Sequence, residues 1–93
     1  MQIYSNSNFD QSLDEVLDYI AKDSLDQAIA FNQELQKSFE ALPFMPYKFR
    51  KSIYFDNENI RDFIFKGYTI PYLIDKEENC IVLLGIVKYR ESL

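Results

Sequence analysis

Apolar residues in the first half of the chain recur every three or four positions, the spacing of one face of an α-helix. In the first such segment they are Phe9, Leu13, Val16, Leu17 and Ile20. In the second they are Leu25, Ala28, Phe31, Leu35, Phe39 and Leu42. The pattern breaks at residues 22–24, and Pro43 and Pro46 end the second segment. The sequence therefore predicts two amphipathic helices joined by a short turn, which form an antiparallel hairpin.

Polar residues at capping spacing mark where these helices begin. Ser24 followed by Gln27 predicts the start of the second helix. For the first helix, Ser12 with Glu15 has the same spacing, and Ser7 or Asn8 are the alternative caps of a longer helix.

After residue 59 the apolar period changes from about 3.6 to 2, the period of a β-strand. We expect strands over residues 60–66, 68–75 and 80–88, with corners at Gly67 and at KEEN (residues 76–79). The last strand, CIVLLGIV, is nearly all apolar and is expected to be central and covered on both faces. Pro71 has no N–H, so it should lie at a bulge or an exposed edge.

A short strand in MQIY completes the order β-α-α-β-β-β. This order predicts a single α+β domain over residues 1–93, with the helical hairpin packed on one face of a mainly antiparallel four-stranded sheet.

The charge distribution and the absence of certain residue types limit the kinds of functional site that the chain can form. The net charge is −5, with eight acids and two bases in residues 1–42 and eight bases and seven acids in residues 43–93. There is no histidine and one cysteine, Cys80, expected to be a buried structural thiol. We find no signal peptide, membrane span, metal-ligand set or glycine-rich phosphate loop, so a cytoplasmic protein without cofactor or metal is expected. The acids Asp14, Glu15 and Asp18 are interpreted as a solvated helix face.

The remaining candidates for chemistry are Lys, Arg and Tyr residues of the second half, which can hold a phosphate, transfer a proton or stack on a base. They are Lys48, Arg50 and Lys51 in the loop, Arg61 in the first strand of the hairpin, and Lys88, Tyr89 and Arg90 near the end. These residues can meet on one face of the sheet. The alternative is an ordinary solvated basic rim.

Aromatic residues divide into two groups. Phe44, Tyr47 and Phe49 lie in the loop and are expected to form an exposed patch for a partner. Among the strand aromatics, Phe63 and Phe65 are expected to pack under the helices. Tyr68 and Tyr72 share a face with Ile70 and Ile74 and are expected to pack in the core or on the sheet surface, with a base-stacking platform as the alternative. For Arg61, the structural alternative to a functional role is an ion pair with a helix acid, such as Asp14 or Asp18.

Two stretches resemble the RelE/ParE superfamily of type II toxin–antitoxin toxins. In LDEVLDYIAKDSLDQAIAFNQELQKSFEALPFMP the resemblance lies in a Tyr-Ile pair, a break, a second helix and a Leu-Pro end. In NIRDFIFKGYTIPYLID it lies in an arginine strand, a Gly-Tyr corner and an I-x-Y strand. An apolar last strand that ends in the basic cluster KYRE completes the pattern.

The resemblance implies a growth-inhibiting toxin neutralised by a cognate antitoxin. We expect the antitoxin to dock on the aromatic and basic surface around residues 44–51 and on the sheet. Members act either on DNA gyrase, like ParE, or as ribosome-dependent mRNA endonucleases, like RelE. The hairpin and the acidic charge favour the ParE-like branch. In the endonuclease alternative the resemblance assigns phosphate binding to Arg61, proton transfer to Lys88 or Lys51, and base or 2′-OH orientation to Tyr89, with Arg90 beside them. A third alternative is a non-toxic protein-binding module.

Overall fold

The structure is a computed structural model that describes residues 1–88. Its elements are β1 (Gln2–Ser5), α1 (Ser7–Ala21), α2 (Leu25–Ser38), a 3-10 turn (Phe39–Ala41), β2 (Ile60–Phe65), β3 (Tyr68–Asp75), β4 (Cys80–Leu83) and β5 (Val87–Lys88). The predicted order is confirmed, with one refinement. The last predicted strand, residues 80–88, is divided into β4 and β5.

The cap of α2 is the predicted one, whereas the cap of α1 differs from the prediction. The Oγ of Ser24 accepts a hydrogen bond from the N–H of Gln27 at 3.1 Å, which caps α2 as predicted. The first helix is capped by Asn6, whose Oδ1 accepts from the N–H of Phe9 at 2.8 Å. The caps proposed at Ser7, Asn8 or Ser12 are therefore wrong, because all three residues already lie inside α1.

The sheet has the strand order β1-β4-β3-β2, with β5 also paired to β3. The pair β1–β4 is parallel, and the other pairs are antiparallel. The predicted mainly antiparallel sheet and the central place of β4, between β1 and β3, are therefore confirmed. The buried residues Cys80, Ile81 and Leu83 lie on both faces of β4.

Pro71 lies in the central strand β3, opposite the interruption between β4 and β5. Tyr72 pairs with Leu83 and Thr69 pairs with Val87, so three steps along β3 match four steps along its partner. The extra residue forms the bulge at residues 84–86. The N–H of Leu84 donates to the carbonyl of Pro71 at 2.9 Å, so the nitrogen of Pro71 faces the bulge. Of the two predicted settings for this proline, a bulge or an exposed edge, the structure shows a bulge, which lies in the segment opposite Pro71.

One face of the sheet carries the core, under the helices. Its buried members are Phe9, Leu35, Phe39, Leu42, Phe63, Ile70, Tyr72, Ile74, Ile81 and Leu83. Phe63 packs against Phe39 with ring centroids 5.7 Å apart, and Phe65 packs against Phe31 at 5.4 Å. The core positions predicted for the strand aromatics are confirmed. The acids Asp14, Glu15 and Asp18 are exposed, as predicted.

The thiol of Cys80 is free and buried, as expected. Burial raises the pKa of this thiol, and the carboxylates of Asp75 and Glu78 raise it further. Within residues 1–88, no helix is long and apolar enough to span a membrane.

Candidate functional site

The long loop between α2 and β2 returns along the free edge of β2. Lys51 forms an isolated antiparallel bridge with Arg61. The N–H of Ser52 donates to the carbonyl of Ile60 at 2.8 Å, and the N–H of Asp62 donates to the carbonyl of Arg50 at 3.1 Å. The backbone of the basic loop segment is thus attached to the sheet edge. Lys48, Arg50 and Lys51 are all exposed there.

Arg61 lies inside this loop and braces it. Its Nε donates to the carbonyl of Glu58 at 3.1 Å, and its Nη1 donates to the carbonyls of Phe49 at 3.1 Å and Tyr47 at 3.4 Å. The alternative considered for Arg61, an ion pair with a helix acid such as Asp14 or Asp18, is not found. Within the described part of the chain, the ion pairs are Arg50 with Asp62 and Lys66 with Glu34. Arg61 therefore bonds to loop carbonyls and keeps its positive charge unneutralised by a carboxylate of residues 1–88.

The ring of Tyr47 lies close to two cations, and its hydroxyl is held by a hydrogen bond. The guanidinium carbon of Arg61 lies 4.9 Å from the ring centroid, and the Nζ of Lys76 lies 5.4 Å from it. The hydroxyl of Tyr47 donates to the Oδ1 of Asn59 at 2.6 Å. Lys76 was not predicted as part of this cluster, because a lysine in the polar turn KEEN carries no signal of the loop that folds beside it.

The buried hydroxyl of Tyr72 is hydrogen-bonded to the same loop. The O–H of Tyr72 donates to the carbonyl of Pro46 at 2.6 Å. Burial is the main cause that raises the pKa of Tyr72 to about 12; Asp62 raises it further, and Arg61 opposes the shift. A neutral hydroxyl is therefore maintained, and it remains a hydrogen-bond donor to the loop throughout the physiological pH range.

On the other face of β2, Arg50 pairs with the fully buried carboxylate of Asp62. The Nη2 and Nε of Arg50 lie 3.2 and 3.3 Å from the Oδ2 of Asp62. The N–H of Ile53 donates to the same oxygen at 3.1 Å, and the Oδ1 of Asp62 has no hydrogen-bond partner. Asp62 was not predicted to have this role, since an acid between Arg61 and Phe63 in an alternating strand is usually solvated. Arg50 is therefore partly committed to holding the loop.

The predicted aromatic patch is only partly at the surface. Phe44 is 85% exposed and Tyr47 is 38% exposed. Phe49 instead packs edge-on against Phe63, with ring centroids 5.1 Å apart, so it adds to the core. The expectation that Phe49 belongs to the exposed patch is therefore corrected. Met45, 62% exposed, lies in the same turn as Phe44.

Lys88 lies away from this loop. It pairs with Tyr68, whereas Arg61 pairs with Tyr72 on the opposite side of β3. Four residues of strand separate the two pairs by about 13 Å. The Nζ of Lys88 lies 5.7 Å from the ring centroid of Tyr19 in α1. The structure thus groups Arg61 with Tyr47 and Lys76 but not with Lys88. Tyr89 and Arg90 lie outside the described residues.

Metal chemistry has no candidate site in the described residues. In that part of the chain, no group of three or more His, Cys, Asp or Glu side chains is placed to hold an ion.

Comparison with known proteins bears on the fold and the family. Residues 5–93 match the sequence model of a family described as the ParE toxin of the type II toxin–antitoxin system parDE. A solved structure described as the chromosomal ParDE TA system from P. aeruginosa shares the fold, with a TM-score of 0.78 at 16% identity over 97% of each chain. No curated protein matches the sequence significantly. Since the family model covers nearly the whole chain, the protein belongs to the ParE toxin family of type II toxin–antitoxin systems.

Proposed function

We propose that this protein is a growth-inhibiting toxin of the cytoplasm that a cognate antitoxin neutralises, and that it acts on DNA gyrase or another protein target. The observation that carries the proposal is the family match over residues 5–93. The fold shared with a protein of a ParDE system supports it.

Electrostatics favours a protein target over the ribosome. The chain carries a net charge of −5, so long-range repulsion from ribosomal RNA slows its association. Arg61 and Lys88, two residues of the endonuclease alternative, pair with β3 at positions four residues apart and on opposite sides of that strand. Arg61 is also occupied with three loop carbonyls. This separation disfavours a nuclease centre in which Arg61 and Lys88 contact the same phosphate.

We further propose that the antitoxin contacts the loop surface formed by Phe44, Tyr47, Lys48, Phe49, Arg50 and Lys51. Phe49 supports the loop rather than presenting its ring to the antitoxin, because the ring packs on Phe63. Arg50 contributes the exposed half of its side chain, since the remainder faces Asp62.

The target can be tested with purified gyrase, relaxed plasmid and ATP. We expect the protein to reduce supercoiling or to trap cleaved plasmid, and to lose this effect when the antitoxin is added first. Full supercoiling in the presence of a protein that still arrests growth would reject gyrase and leave another target.

A second assay distinguishes the endonuclease alternative from the ParE-like mode. Programmed ribosomes are incubated with the protein and the mRNA is mapped by primer extension, beside Lys88→Ala and Arg61→Ala. We expect no cuts above the buffer control. Codon-phased cuts that disappear in Lys88→Ala would contradict the ParE-like mode, since Lys88 makes no contact with the loop and its loss should not unfold it.

A further inference from the structure

We propose that the turn at residues 44–48, together with Lys76, is a docking site for an antitoxin segment in which an acidic residue stands next to bulky apolar residues. We call it the Tyr47 site, formed by Phe44, Met45, Tyr47, Arg61 and Lys76. The proposal rests on the proposed function for the existence of the antitoxin. It adds the chemistry of the docking segment and a contact residue, Lys76, in the turn between β3 and β4.

The positive charge of the site favours an acidic residue of a partner. Two cations lie over one aromatic ring, with Arg61 at 4.9 Å and Lys76 at 5.4 Å from the centroid of Tyr47. The ion pairs of residues 1–88 involve other bases, so neither cation has a carboxylate partner in that range. Attraction to the ring holds both cations in place but leaves their charge uncompensated. An aspartate or glutamate of a partner can bond to Lys76, which is exposed, and is also attracted by the positive charge of Arg61 at the same ring.

The apolar part of the site is exposed and yet fixed. Phe44 is 85% exposed and Met45 is 62% exposed. Their turn is closed by the N–H of Phe44 to the carbonyl of Ala41 at 3.2 Å, and by the N–H of Lys48 to the carbonyl of Met45 at 3.0 Å.

Two tyrosine hydroxyls tie the same turn to the body of the protein. Tyr72 donates to the carbonyl of Pro46, and Tyr47 donates to Asn59, each at 2.6 Å. Exposed apolar side chains on a backbone fixed in this way lose little conformational entropy on binding, which is the property of a preorganised docking surface.

A peptide fits this combination better than a nucleic acid. A phosphodiester can also bind the two cations, but the chain as a whole carries −5 and repels a polyanion. A peptide with isolated acids meets less repulsion, and its apolar side chains can cover Phe44 and Met45. The antitoxin is the protein partner that membership of the family implies.

The test is the dissociation constant of the toxin–antitoxin complex, measured by calorimetry with variants of exposed residues. We expect Lys76→Glu and Phe44→Ala each to weaken binding about tenfold, as expected for central interface residues. Added salt should weaken the wild-type complex more than the Lys76→Glu complex. Lys76→Arg, which keeps the charge, should stay within about twofold of wild type.

Lys22→Glu is the matched control for charge reversal. Lys22 is exposed and follows α1 directly, at the end of the hairpin away from the site. The length of α2, about 21 Å, separates that end from residue 44. We expect its dissociation constant to equal that of wild type within about twofold. Circular dichroism and thermal melting confirm that each variant is folded.

The outcomes separate the docking site from the proposed function. Unchanged antitoxin binding by both Lys76→Glu and Phe44→Ala would overturn the docking site and leave the toxin–antitoxin function in place. Failure of the wild-type protein to bind the antitoxin would overturn both. A single-stranded RNA probe that binds the wild type and not Lys76→Glu, while antitoxin binding stays intact, would reassign the site to nucleic acid.

Discussion

At the scale of single residues, Arg50 and Arg61 hold the loop in place as well as presenting charge. Arg61 donates to the carbonyls of Tyr47, Phe49 and Glu58, and Arg50 pairs with the buried Asp62. These two arginines brace the loop from opposite faces of β2. Their substitution therefore changes the shape of the loop as well as its charge, and a loss of activity on substitution does not by itself show a catalytic role.

Tyr72 gives a test of how firmly the loop is attached. Its pKa is raised from 10.0 to about 12, chiefly by burial. The folded protein binds the hydroxyl proton of Tyr72 more tightly than the unfolded chain does. The stability that comes from this difference in pKa is therefore complete below pH 10 and is lost as the pH rises towards 12. We expect Tyr72→Phe to lower the free energy of unfolding by about 1 kcal/mol at neutral pH, through the lost bond to Pro46.

Urea unfolding over a series of pH values measures both effects. Between pH 10 and 12 the wild type should lose stability faster than Tyr72→Phe. Tyr54→Phe is the control, because Tyr54 is 44% exposed. Equal pH dependence in wild type and Tyr72→Phe would show that Tyr72 is not the group that titrates late.

The two ion pairs should differ in their energetic importance. Arg50→Met leaves the buried carboxylate of Asp62 without its cation and should cost about 2 kcal/mol of stability. Lys66→Met removes the pair with Glu34, in which both side chains are about half exposed, and should change stability by less than about 0.5 kcal/mol. Chemical denaturation of both variants measures the difference. Similar costs for the two substitutions would contradict the role of Asp62 as the buried anchor of the loop.

At the scale of elements, local periodicity was sufficient to predict both helices, the core aromatics and the strands, except for the division of residues 80–88 into β4 and β5. The cap of α1 was missed because Asn6, Ser7 and Asn8 are adjacent, and all three types can cap a helix. The pairing of Arg50 with Asp62 and the position of Lys76 beside Tyr47 were missed for another reason. Both contacts join segments distant in sequence, and no repeating pattern within either segment reports them.

Gly85 shows how the bulge between β4 and β5 is fitted to α1. A Cβ at this residue would lie 2.7 Å from the Nδ2 of Asn8, which donates to the carbonyl of Leu84 at 2.8 Å. We expect Gly85→Ala to displace this side chain and to cost about 1 kcal/mol, measured as the free energy of unfolding.

A double-mutant cycle checks the cause of that cost. In the Asn8→Ala background, which removes the obstructing amide, Gly85→Ala should cost much less, with a coupling of about 1 kcal/mol. Additive effects of the two substitutions would mean that Asn8 is not what restricts the residue at position 85.

At the scale of the whole molecule, the charges are divided between its two layers. The acidic half of the chain forms the helices, where Asp14, Glu15 and Asp18 are exposed. The bases Lys48, Arg50 and Lys51 follow the edge of β2. An acidic partner is therefore attracted to the loop side and repelled from the helix α1 side, so charge can orient the partner before contact.

Growth after controlled expression tests most directly the proposal that the protein is a toxin neutralised by its antitoxin. We predict that expression alone stops growth with filamentation and a DNA-damage response, and that co-expression of the antitoxin restores growth. Undiminished growth of cells that contain folded protein without antitoxin would contradict the proposal and leave a non-toxic binding module with the same fold.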